Sequence, residues 1–143
     1  MNYTLLIIPL TAAIVAQIIK IIIFLSKRQF SWKEFNSYGG MPSSHTAMVI
    51  SLSAAAGYYD GWDSAIFALA IVFSLIVLRD AVGFRRQIGL HAQTINLQIS
   101  RLPHDKNYQY QYLNERVGHT YLEVFAGMVV GLLITALYIL FLG

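Results

Sequence analysis

Two histidines stand in surroundings that suit the handling of a phosphoryl group. His119 is followed four residues on by Glu123. At that helical spacing the carboxylate can accept a hydrogen bond from one imidazole nitrogen and leave the other with a lone pair, which is what a nucleophilic or general-base histidine needs. The plainer reading of such a pair is a polar contact at a helix end. His45 stands in Gly39-Gly40-Met41-Pro42-Ser43-Ser44-His45-Thr46. Glycines ahead of a proline-started helix leave backbone N–H groups unpaired at a helix N-terminus, and the Ser43 and Ser44 hydroxyls beside them complete a cradle for phosphate. His45 is then placed to give a proton to a leaving oxygen, although Pro-Ser-Ser is also simply a good helix start.

A phosphoryl group also needs positive charge around it, and Lys20 with Arg85, Arg86 or both can supply it. Each has a plainer role. Lys20 lies five residues before Leu25, about 7–8 Å along a helix, so its stem can reach the headgroups by snorkelling. Arg85 and Arg86 can serve as a topogenic cluster. A third use of the same residues, a metal site of His45, His119 and Glu123, has a common ligand set but lacks an H-E-x-x-H motif and sits among cations.

The elements that must bring these residues together are membrane helices. The 143 residues are 57% hydrophobic and 12% charged, about half the charge of an ordinary soluble domain. Several apolar runs approach the roughly 20 residues that cross a bilayer. The first, residues 3–25, has neither a basic leader nor a small-residue cleavage site and is expected to remain as an anchor. A second span is expected over 41–59, with Pro42 in its first turn. A turn at 57–62 follows, with Asp63 as the helix cap, and then a third span from 64 to about 84. Residues 85–100 carry Ile88, Ile95 and Ile99 at near-helical spacing, with His91 among them, and predict an amphipathic interfacial helix. Residues 101–116 read as a loop with some helix, and 121–142 as the last span.

The fold class expected is therefore all-α: one membrane-embedded domain over 1–143, a bundle of about four transmembrane helices with an amphipathic helix after the third. With no cysteine, disulfides, thiolate catalysis and zinc–sulfur sites are excluded. The net charge of +3 reports topology rather than nucleic-acid binding. The first connection holds Lys27, Arg28, Lys33 and Glu34, a net of +2; the third holds six Arg or Lys against Asp80, Asp105 and Glu115, a net of +3. The second holds only Asp60 and Asp63. The positive-inside rule then puts connections one and three in the cytoplasm and both termini outside, in a multi-pass protein of the inner (plasma) membrane. On that topology Lys20, His45, Arg85, Arg86, His119 and Glu123 all reach the cytoplasmic face. Gly127 and Gly131 continue the stripe of His119 and Glu123, so this face points into the bundle or, alternatively, serves a homo-oligomer.

At these residues the chain resembles the type 2 phosphatidic acid phosphatase superfamily, and most closely its small divergent branch related to acid phosphatases and vanadium-dependent haloperoxidases. The superfamily pattern is a lysine with Arg-Pro seven to eight residues on, then Pro-Ser-Gly-His, then Ser-Arg followed by a histidine and, four later, an aspartate. Here it reads as Lys20, Pro42-Ser43-Ser44-His45, and His119 with Glu123. Arg28 is followed by Gln29, Ser44 stands for glycine, Glu123 for aspartate, and Leu113 occupies the arginine position. The resemblance implies His119 as a nucleophile forming phosphohistidine, Glu123 as its orienter and His45 as the general acid. Lys20, Ser43 and Ser44 become phosphate ligands, and no metal or cofactor is used. The missing arginine's role falls to Arg85 or Arg86, in the stretch Asp-Ala-Val-Gly-Phe-Arg-Arg at 80–86, or to Arg116. The implied activity is hydrolysis of a lipid phosphate or pyrophosphate among membrane lipids. The alternative is a noncatalytic membrane protein that binds or moves an anionic lipid or phosphate.

Overall fold

A computed structural model describes residues 3–26, 39–103 and 110–142. Arg28 and the other charges of the first connection, with Asp105 and Lys106 of the third, lie outside the described residues. The elements are α1 (Thr4–Ser26), α2 (Ser44–Asp60), α3 (Ala65–Val82), α4 (Phe84–Ile99) and α5 (Tyr121–Leu142). The described residues contain no strand.

Three helical runs are long and apolar enough to cross a membrane: α1, α3 continued into α4, and α5. The second expected span, 41–59, appears as α2, whose 17 residues rise about 25 Å at 1.5 Å per residue, at the lower end of the length that crosses a hydrocarbon layer. It is the helix that the others surround, packing against α1, α3 and α5, while α1 also meets α5. Its composition suits that position. The buried residues of α2 are Thr46, Ala47, Val49, Ser51, Ser53, Ala55, Ala56 and Gly57, small enough for neighbouring backbones to come close.

The core is correspondingly alanine-rich, with Ala12 and Ala16 of α1 against Ala47 of α2, and Val130 and Ile134 of α5 beside them. Leucines, isoleucines and phenylalanines mostly face outward: Leu69, Leu140 and Phe141 are each more than 70% exposed. This arrangement is stable only where the surroundings are themselves apolar, and it supports the membrane assignment independently of hydropathy.

Helix contacts are clasped by short polar side chains. Ser53 and Ser74 share a hydrogen bond of 2.8 Å, and Ser74 also donates to the Val49 carbonyl at 2.9 Å, joining α2 to α3. Ser51 and Thr135 share one of 2.9 Å between α2 and α5. Gly127 and Gly131 resolve the two uses left open by the sequence for this chain's own packing. A Cβ on Gly127 would lie 2.5 Å from the Ser43 carbonyl oxygen, and one on Gly131 2.5 Å from that of Ala47. The small stripe is thus filled by α2 of the same chain.

Two boundaries differ from expectation. Ser64, not Asp63, caps α3, its hydroxyl accepting the Phe67 N–H at 3.1 Å. Helix α2 begins at Ser44, so Pro42 precedes the cap instead of opening the first turn. In both places a serine hydroxyl takes a free N–H of the first turn and decides where the helix starts. The predicted amphipathic helix is α4, separated from α3 by Gly83. The described part of 101–116 contains no α-helix.

Candidate functional site

The start of α2 is built by Ser43. Its hydroxyl accepts the Thr46 N–H at 3.4 Å and the Thr46 hydroxyl at 2.9 Å. Its own N–H donates to the Glu123 carbonyl at 3.0 Å. Ser43 is fully buried, so its hydroxyl and N–H work in the cap and in tying α2 to α5. Ser44 is half-buried and His45 exposed at the first turn.

His119 and Glu123 meet differently from the single helical face that their spacing suggests. Helix α5 starts at Tyr121, so His119 belongs to the extended segment before it. Thr120 and Glu123 form a reciprocal cap: the Thr120 N–H donates to Glu123 Oε2 at 3.0 Å, and the Glu123 N–H donates to Thr120 Oγ1 at 3.3 Å. The same Oε2 lies 3.1 Å from His119 Nδ1. One carboxylate therefore closes the helix end and orients the imidazole, with Nε2 outside that contact. The Thr-x-x-Glu spacing of Thr120 and Glu123 is the capping-box signature that signals this arrangement in the sequence. His119 is buried, and its N–H donates to the Ala81 carbonyl at 3.0 Å, which pins it to the end of α3.

The basic residues gather around this pair. Lys20 is 5% exposed, so it turns inward instead of snorkelling. A Cβ on Gly40 would lie 2.7 Å from Lys20 Cε; the lysine stem therefore runs against Gly40, ahead of α2. Lys20 interacts electrostatically with Glu123, and His45 with Arg85, His119 and Lys20. Helices α1, α2 and α5 and the start of α4 thus bring their candidate residues into one field of charge. Arg85 forms an ion pair with Asp80. Arg86 lies over the Tyr121 ring at 5.9 Å from its centroid, a cation–π approach.

A cavity of about 460 Å³ opens beside the histidine. Its lining includes Gly39, Gly40, Arg86, Arg116, His119 and Glu123. Of the sequence candidates, Arg86, His119 and Glu123 border this space, as does Arg116; Lys20, Ser43, Ser44, His45 and Arg85 are outside its lining. Among the described residues no three His, Cys, Asp or Glu side chains are grouped to hold a metal ion.

What carries His119 into place is the segment before α5, where the sequence predicts a loop with some helix up to residue 116 and the described residues form an extended crossing. Residues 110–118 cross α4, whose buried residues are Gly89, Ala92 and Asn96. Asn96 accepts the Leu113 N–H at 2.9 Å and donates to the Leu113 carbonyl at 2.9 Å and to Glu115 Oε1 at 2.7 Å. Its amide behaves like a strand neighbour for the crossing backbone. Gly118 has φ +90°, and a Cβ there would lie 2.4 Å from the Arg86 N, so both conformation and space call for glycine. The one trace of this arrangement in the sequence is the small-or-amide stripe Gly89, Ala92 and Asn96 at helical spacing on an otherwise large-residue helix.

A family model described as "Divergent PAP2 family" matches residues 1–134. The chain is also similar to the uncharacterized membrane protein YuiD of Bacillus subtilis (strain 168), at 37% identity over 138 residues, covering 88% of this chain and 87% of that protein. No solved structure matches.

Proposed function

This chain belongs to the Divergent PAP2 family, and on that premise we propose that it hydrolyses a lipid phosphate or pyrophosphate at the cytoplasmic leaflet, without a metal, through a phosphohistidine. The observation that carries the reading is the 3.1 Å contact of His119 Nδ1 with Glu123 beside a cavity also bordered by Arg86. An imidazole held by a carboxylate at one nitrogen keeps the other as a nucleophile. The Nε2 lone pair attacks phosphorus, the bond from phosphorus to the leaving oxygen breaks, and His45 gives that oxygen its proton. Water then attacks the phosphohistidine, giving a proton back to His45 as the P–N bond breaks and phosphate leaves.

Lys20, Ser44, Arg85 and Arg86 surround the phosphoryl oxygens in this reading, while Ser43 contributes by shaping the start of α2. Positioning and charge neutralisation account for most of phosphoryl-transfer catalysis, so a dense basic field around one imidazole matches the requirement. An amphiphilic substrate fits because the large apolar residues around the bundle face outward, leaving its chain among lipids while the headgroup enters the cavity.

The position of His45 outside the cavity lining favours a second reading, binding or movement of an anionic lipid without turnover. The two part in one experiment. Phosphate release from lipid phosphates is measured in chelator, with rapid acid and alkaline quench to trap an acid-labile, alkali-stable phosphoprotein. Release that disappears in His119→Ala supports hydrolysis; saturable binding without release or phosphoprotein supports the second reading.

A further inference from the structure

The cavity has polar side chains in its lining that the phosphohistidine chemistry does not use. Glu115, Gln93 and Arg116 line it together with His119. Glu115 is held there: the Asn96 amide, 7% exposed, donates to Glu115 Oε1 at 2.7 Å while pairing twice with the Leu113 backbone. Gly89 lets this segment approach closely, since a Cβ on it would lie 2.6 Å from the Val117 carbonyl oxygen and 2.9 Å from that of Glu115. A buried amide and a close helix crossing thus fix a carboxylate at the edge of a space that, in the reading above, receives an anion.

A carboxylate facing a phosphate would weaken its binding by repulsion, unless the ligand presents a hydrogen-bond donor there. With Asn96 on Oε1, Oε2 is the oxygen outside that bond, and Gln93 adds an amide to the same cavity lining. Arg86 and Arg116 share the cavity, and their charge disfavours an ammonium group. A neutral hydroxyl suits this mixture. Glu115 and His119 border the same cavity, so their side chains can address two groups of one headgroup.

We propose that Glu115, positioned by Asn96 and assisted by Gln93, is a specificity subsite for a hydroxyl carried close to the phosphate of an amphiphilic ligand. This deepens the functional reading above: the preferred substrate class becomes hydroxylated lipid phosphates over plain alkyl phosphates. A site with an acceptor placed for a hydroxyl discriminates against the analogue that lacks it.

The test uses the full chain in detergent and two nonhydrolysable probes, 3-dodecyloxypropylphosphonate and its 2-hydroxy counterpart, which differ by a single hydroxyl. The wild type is expected to bind the hydroxylated probe about tenfold more tightly, the effect of one hydrogen bond to a charged acceptor. Glu115→Ala brings the ratio close to one with the plain probe's affinity unchanged or improved. Glu115→Gln retains an acceptor for Asn96 and so keeps the segment in place, while the ratio still falls. A wild-type ratio near one, equal weakening of both probes in the variants, or no binding of either probe overturns the subsite. Release of phosphate from the two corresponding phosphate esters is followed separately. A Glu115-dependent binding ratio without release upholds the subsite and overturns hydrolysis; release with a ratio near one does the reverse.

Discussion

The seam around α2 and the crossing of residues 110–119 over α4 solve the same problem, burying polar groups beside apolar helices, in opposite ways. In the seam, hydroxyls pair with hydroxyls or with helix carbonyls, as in Ser53 with Ser74 and Ser51 with Thr135, and the partners are used up in holding helices together. At the crossing, longer side chains bond to backbone and to one another, as in Asn96 with Leu113 and Glu115, and the cavity lies alongside. The first arrangement leaves little polar capacity for a ligand. The second orders groups such as His119 and Glu115 without consuming all their acceptors, and the candidate chemistry lies where the two regions meet.

If that division holds, changes at the crossing alter chemistry while changes in the seam alter stability. His119→Ala should give the largest effect, lowering phosphate release by at least about 10⁴-fold as the nucleophile is lost, with the thermal midpoint nearly unchanged. A midpoint that collapsed with activity would erase the distinction. Gly131→Leu should act in the other region. Its Cβ alone would fall 2.5 Å from the Ala47 carbonyl oxygen, and overpacking of about 3 kcal/mol should appear as aggregation or a lower unfolding midpoint in detergent.

Glu123→Gln sharpens the comparison because the carboxylate belongs to both regions. An amide oxygen can still accept the Thr120 N–H, so unfolding should shift by less than about 1 kcal/mol, whereas loss of the charge that orients His119 should lower turnover by about 100-fold. Asn96→Ala should cost about 1–3 kcal/mol by leaving Leu113 and Glu115 without their partner. Faster hydrogen exchange should appear around Leu113 but not in α2. The smallest effect is expected for Ser51→Ala, at about 0.6 kcal/mol for an interhelical hydrogen bond in a membrane protein. Thr135 retains its bond to the Gly131 carbonyl at 2.9 Å, so activity should be unchanged.

Much of this was legible before any fold was seen. The last helix coincides with the 121–142 expected from its apolar run, and α4 falls where isoleucine spacing predicts an amphipathic helix. The spacing of His119 and Glu123 was enough to pair them, and their contact forms. The helix starts were misplaced by one to three residues because competing cap residues lie side by side, and only the serine whose hydroxyl reaches a free N–H marks the boundary. The pairing also arose by another route: Glu123 reaches back across the cap to a histidine outside the helix.

The sequence by itself determined the membrane class, the helical periodicities and the residue types available for chemistry, because each depends on near neighbours along the chain or on average polarity. Only the tertiary structure decided that α2 is the enclosed helix, that Gly127 and Gly131 pack on it, and that Lys20 turns inward. It also decided which residues border the cavity. Those outcomes depend on contacts between residues far apart in sequence, such as Asn96 holding Leu113 or Ala81 holding His119, and no local pattern specifies which partner a buried polar group will find.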